Sequence, residues 1–129
     1  MHKGSCLCGT VTFEVSESLK TADACHCHQC RKWTGHFLAS VEVSRDALSI
    51  QGSEKVSWHH SSEKVRRGFC SKCGSSLFFD PLDTNKHQWI GIALGSFDQP
   101  TGANLGQHIF VAEKGDYYEI NDGLPQNQH

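Results

Sequence analysis

The chain has 129 residues, with 12 Lys plus Arg against 14 Asp plus Glu, a formal net charge of −2 and a hydrophobic fraction of 37%. That length suits a single domain over residues 1–129, and the absence of a basic stripe weighs against nucleic acid as the main partner. No apolar run approaches the ~20 residues needed to span a bilayer, so no membrane role is expected.

Met1-His2-Lys3-Gly4-Ser5-Cys6 lacks the apolar stretch of a signal peptide, so the chain is expected in the cytoplasm. In that reducing setting seven cysteines point to metal or redox chemistry rather than disulfides. Along the chain, Val11, Phe13 and Val15 share one face of a predicted strand. A turn or two of helix is expected around His28–Trp33. Ala39, Val41 and Val43 mark another alternating strand. Leu48–Ile50, Lys55–Trp58, Val65–Phe69 and Ser76–Phe79 follow as strands, with His59 and His60 in an exposed loop. Ile90, Ile92 and Leu94 alternate next, and His108–Ala112 and Tyr117–Ile120 complete the series. Gly, Asn, Asp and Pro punctuate the gaps, as in Asp80-Pro81 and Asn121-Asp122-Gly123. The reading is all-β, built from short antiparallel strands with little helix.

Three clusters carry the chemistry: Cys6-Leu7-Cys8-Gly9, Cys25-His26-Cys27-His28-Gln29-Cys30 and Cys70-Ser71-Lys72-Cys73-Gly74. Zinc holds thiolates at about 2.3 Å in a tetrahedron, which places the sulfurs roughly 3.8 Å apart. The two pairs, Cys6 with Cys8 and Cys70 with Cys73, make one complete tetrahedron. Cys25, Cys27 and Cys30 remain as a three-ligand set. A closed set is structural, whereas a set one ligand short can take water or substrate. Alternatives at the second set are a fourth ligand from His26, His28, His36 or His108, and an iron–sulfur cluster, although the usual ferredoxin spacing is missing.

Gly-Ser-Cys-x-Cys-Gly, Cys-His-Cys-x-x-Cys-Arg and Phe-Cys-x-x-Cys-Gly in this order, with Gly95-Ser96-Phe97-Asp98 and His108-Ile109-Phe110-Val111 beyond, resemble the glutathione-dependent formaldehyde-activating enzyme family, which also includes a centromere protein. The resemblance implies a fold of several short antiparallel sheets around a structural zinc and the same partition: that structural zinc on Cys6, Cys8, Cys70 and Cys73, and a catalytic zinc on Cys25, Cys27 and Cys30. It also implies a carbon–sulfur lyase activity that forms S-hydroxymethylglutathione from formaldehyde and glutathione. The chain departs from many members in carrying Tyr117-Tyr118 where they have tryptophan.

Three thiolates on Zn²⁺ leave a net negative unit, a poor polariser of carbonyls but a suitable holder of a fourth thiol as thiolate. The expected reaction joins a small thiol, glutathione, to an aldehyde, formaldehyde. His26 and His28 are the nearest proton donors in sequence. Arg31 and Lys32 are the expected cations for glutathione carboxylates, with Arg66 and Arg67 as further candidates. Trp33 could wall the pocket, whereas Trp58 and Trp89 read as packing. The alternative function is a non-catalytic zinc-ribbon-like module that binds protein or nucleic acid.

Overall fold

Alternating apolar and polar side chains dominate the chain. In the computed structural model, which describes residues 1–129, that alternation becomes ten strands and one short helix: β1 (His2–Ser5), β2 (Thr12–Val15), β3 (Ala22–Cys25), α1 (His28–Thr34), β4 (Leu38–Ser44), β5 (Leu48–Gln51), β6 (Val56–His60), β7 (Val65–Cys70), β8 (Ser76–Pro81), β9 (Trp89–Ala93) and β10 (Leu105–Ile109). No helix is long and apolar enough to cross a membrane.

The strands form a three-stranded sheet, β1-β2-β5, and a seven-stranded sheet in the order β10-β3-β4-β9-β8-β7-β6. The all-β architecture of short sheets is as expected, with one exception to the antiparallel rule: β10 runs parallel to β3. Two further strands, β1 and β3, were not expected. Ala22-Asp23-Ala24 has little intrinsic strand preference, and its place between β10 and β4 is set by long-range pairing. The strand expected over His108–Ala112 ends at Ile109, because Phe110 turns into the left-handed region (φ 54°) and starts a 3₁₀ turn over Val111–Glu113. Tyr117–Ile120 forms no strand. His59 and His60 lie on β6 rather than in a loop, and the His59 ring stacks on Trp33 with centroids 5.7 Å apart.

Each sheet offers one face to a common core. Val11, Phe13 and Val15 from the small sheet meet Val41 and Val43 of β4, Ile90 and Ile92 of β9, and Phe78 of β8. Phe13 is 1% exposed and sits edge-on to both Phe78 and Phe97. Because strand side chains alternate, the residues between these, Leu38, Ser40 and Glu42 of β4 and Trp89 and Gly91 of β9, face the other side of the large sheet. They line a cavity there together with Asp23, Cys25 and Cys27.

Candidate metal centres and their cavity

The first centre joins the two sheets. Cys6 and Cys8 follow β1, while Cys70 ends β7 and Cys73 lies in the turn beyond it. The four sulfurs lie within 4.8 Å of one another. Cys6 to Cys8 is 3.6 Å and Cys8 to Cys70 is 3.9 Å, against the roughly 3.8 Å of a tetrahedral zinc–thiolate site. Two glycines allow the chain to curl around that point. Gly9 (φ 80°) and Gly74 (φ 81°) take left-handed conformations, and their N–H groups bond back to the carbonyls of Cys6 and Cys70. Backbone N–H groups then aim at sulfur: Val11 at Cys6 (3.3 Å), and Lys72 and Cys73 at Cys70 (both 3.4 Å). Hydrogen bonding from Ser75 brings Cys73 down to about 5, and Thr10 holds Cys8 below the usual thiol range. Both shifts favour the thiolate form that a metal requires. The donor set fits a structural zinc.

The second centre brings Cys25 of β3, Cys27 and Cys30 of α1 within 4.8 Å of one another. Cys27 is the N-cap of α1, and its sulfur accepts the Cys30 N–H at 3.3 Å. The helix stops one turn later, where Gly35 (φ 88°) bonds back to Arg31. Hydrogen bonds from the neighbouring thiols take Cys27 down to about 2 while the same contacts push Cys25 up. The sulfurs thus share protons to avoid adjacent like charges, a crowding that a divalent cation relieves. This set fits a metal with three protein thiolates.

No histidine completes the second set. Just past the end of β3, where the His26 N–H still bonds to the Ile109 carbonyl (3.0 Å), Cys25 and Cys27 line the cavity while His26 turns away from it. There His26 is fully buried, with Nδ1 2.6 Å from the Tyr118 hydroxyl and Nε2 2.8 Å from Nδ1 of His108. His108 in turn reaches Asp122 at 2.7 Å, and His36 meets the Tyr117 hydroxyl at 2.7 Å. Burial holds His26 down to about 4, so the ring is neutral. The expected proton-donor role therefore has no geometric support at His26. His28 sits at the exposed start of α1 and, with Lys32, lines a shallow pocket that shares Gln29 and Arg67 with the cysteine cavity.

The expected cations are also redistributed. Arg31 donates from Nε to the carbonyls of His26 (3.3 Å) and Glu113 (3.0 Å), pinning the 3₁₀ turn against the helix. Arg66 pairs with Asp80 at 2.7 Å and lies over Trp58. Arg67 is the cation that enters the cavity. It is 3% exposed, donates from Nη1 to Cys30 Sγ (3.5 Å) and from Nε to Ser61 Oγ (3.2 Å), and rests over the Phe79 ring. Adjacent strand residues face opposite sides, so one of Arg66 and Arg67 had to turn inward. The cavity itself measures about 220 Å³; Asp23 and Glu42 in its wall were not singled out from the sequence, Phe110 entered only within the His108–Val111 motif, and Trp89 was read as packing alone. Trp89 faces the cavity while stacking on Phe79 (centroids 6.2 Å).

A sulfur ligand that accepts a buried guanidinium N–H depends on it for orientation. Arg67→Lys should weaken metal binding at the second centre by about 10–100-fold and leave the first unchanged, as read by competition with a graded chelator.

The model of the glutathione-dependent formaldehyde-activating enzyme family matches residues 1–113. The chain belongs to this family. Among its relatives, a protein of Halomonas elongata that carries the family's name as a provisional assignment is 36% identical over 127 residues, covering 92% of this chain and 80% of the relative. A protein of Schizosaccharomyces pombe named as an uncharacterized lyase is 28% identical over 125 residues, covering 92% and 85%. A crystal structure of a Rhodobacter sphaeroides protein superposes with a TM-score of 0.60 at 24% identity, over 75% of this chain and 88% of that one, which is a likeness of fold. All seven cysteines of this formaldehyde-activating enzyme family member are free of disulfides, and six of them, with the N-cap Cys27, make up the two centres.

Proposed function

We propose that the three-cysteine cavity binds a small thiol, glutathione first among them, at a zinc ion and joins it to an aldehyde, formaldehyde, as an S-hydroxymethyl adduct. The observation that carries this reading is a set of three sulfurs that faces a cavity of about 220 Å³ with no fourth protein donor. Zinc, when bound there, supplies the charge that keeps a further thiol deprotonated near neutral pH. Family membership and the lyase name of one relative favour the same chemistry.

The chain's own residues do the rest. Arg67 orients Cys30 and offsets part of the thiolate charge. Leu38, Phe79 and Trp89 give the cavity dry walls, which strengthen the electrostatic interactions inside. In the addition a carbon–sulfur bond forms, the carbonyl π pair moves to oxygen, and the alkoxide takes one proton from water at the cavity mouth. No oxidant or reductant is needed. The reverse cleavage is the lyase direction. The chain acts as one domain, in the cytoplasm, where thiols stay reduced.

The test replaces zinc by cobalt, whose thiolate absorption reports on its ligands. Millimolar glutathione should shift that absorption. An unchanged spectrum would remove glutathione as the substrate.

A further inference from the structure

His26 lies between two sulfur ligands, turns away from their cavity and is held from four directions. Its N–H donates to the Ile109 carbonyl (3.0 Å), and its own carbonyl accepts from Arg31 Nε (3.3 Å). Its ring nitrogens meet the Tyr118 hydroxyl (2.6 Å) and His108 Nδ1 (2.8 Å), and His108 Nε2 meets Asp122 Oδ2 (2.7 Å). A carboxylate only accepts, and the hydrogen bond from His108 holds the Asp122 carboxyl below its usual range. With neutral rings, one direction of donation then satisfies every member. His108 Nε2 donates to Asp122, His26 Nε2 donates to His108 Nδ1, and the Tyr118 hydroxyl donates to His26 Nδ1.

Both outer members lie beyond residue 113, where the match to the family model ends. The segment that carries them is strapped along β10, at the end of the large sheet. The His108 N–H donates to the Pro125 carbonyl (2.9 Å), the Asn127 N–H to the His108 carbonyl (2.8 Å), and the Val111 N–H to the Asn127 carbonyl (3.0 Å). On its other side β10 pairs with β3, with Ile109 opposite Cys25. Strap, β10 and β3 thus lie side by side, and the hydrogen-bonded chain crosses from the first to the last. The three sulfurs are not held alike. Cys30 has Arg67 to orient it and Cys27 has the Cys30 N–H, whereas the Cys25 sulfur accepts no N–H and takes its place from the backbone beside it. That backbone is His26. Groups outside a coordination sphere that fix its ligands set how well the ligands fit the metal. Resting on the reading that a metal ion sits on Cys25, Cys27 and Cys30, we propose that Tyr118 and Asp122 are positioning residues for that centre, which hold Cys25 and Cys27 in place through His108 and His26.

Cobalt loading against a graded chelator tests this in the wild type, Tyr118→Phe, Asp122→Ala and Asp122→Asn. Tyr118→Phe and Asp122→Ala should each weaken the three-sulfur centre by about 10–100-fold and shift its cobalt–thiolate absorption, with the four-sulfur centre unchanged. Asp122 is exposed, so Asp122→Ala opens no gap in the core and reports even where Tyr118→Phe fails to fold. Asp122→Asn keeps an oxygen that accepts from His108 and should bind cobalt as the wild type does. Weakening of both centres in step would show a structural role alone and overturn the proposal. Wild-type affinity and absorption at the three-sulfur centre of Asp122→Ala would overturn it too, while leaving the metal reading intact. A wild type that takes up cobalt at the four-sulfur centre only would remove the metal from Cys25, Cys27 and Cys30, and the positioning role with it.

Discussion

Cys70→Ser protein is expected to be unfolded at 37 °C. Cys70 has no exposed surface and ends β7, whose neighbours β6 and β8 carry much of the large sheet. Its sulfur accepts two backbone N–H groups and lies 3.9 Å from that of Cys8, which follows a strand of the other sheet. The site therefore ties the two sheets together. Structural zinc contributes on the order of 10–16 kcal/mol in peptides at neutral pH, comparable with the whole 5–15 kcal/mol stability of a typical domain. A buried serine hydroxyl without a partner costs only about 1–3 kcal/mol by itself, so the loss of metal decides the outcome. Circular dichroism should report a largely unfolded chain, and chelation of the wild type should reach the same state. A cooperative melt within a few degrees of wild type would refute the structural assignment.

Cys27→Ser should separate chemistry from fold. Serine is a good N-cap, so it can accept the Cys30 N–H in place of the sulfur and preserve α1. It is a much poorer ligand for a soft thiolate-type site. The variant should melt near the wild type, yet lose more than about 100-fold in adduct formation, measured as S-hydroxymethyl adduct formed or cleaved per unit time above the spontaneous rate. Retained activity in a folded Cys27→Ser protein would exclude the three-cysteine set from the reaction.

Much of this was legible in the sequence because sulfur spacing is a short-range constraint. Cys-x-Cys-Gly and Cys-x-x-Cys-Gly specify turns whatever the rest of the chain does, and both turns appear with glycine in the left-handed region. Strands with strong alternation, such as Thr12–Val15 and Leu38–Ser44, were equally readable. The cavity wall was not. Asp23, Ser40 and Glu42 alternate with buried residues and so read as a solvent face. Only the pairing of β3, β4 and β9 makes that face the floor of a cavity. His26 shows the other limit: its nearness in sequence to three ligands suggested a catalytic proton donor, whereas its ring is buried against Tyr118 and His108. The Tyr118–His26–His108–Asp122 chain of hydrogen bonds that receives it depends on contacts spanning most of the polypeptide.

The partition of seven cysteines into a four-sulfur and a three-sulfur set underlies both the fold and the reaction. Zinc content per chain tests it most directly, measured by mass spectrometry on anaerobically loaded, desalted protein. The account predicts about two ions in the wild type and about one in folded Cys27→Ser protein, from one ion per sulfur set. Equal zinc content in wild type and Cys27→Ser would contradict it.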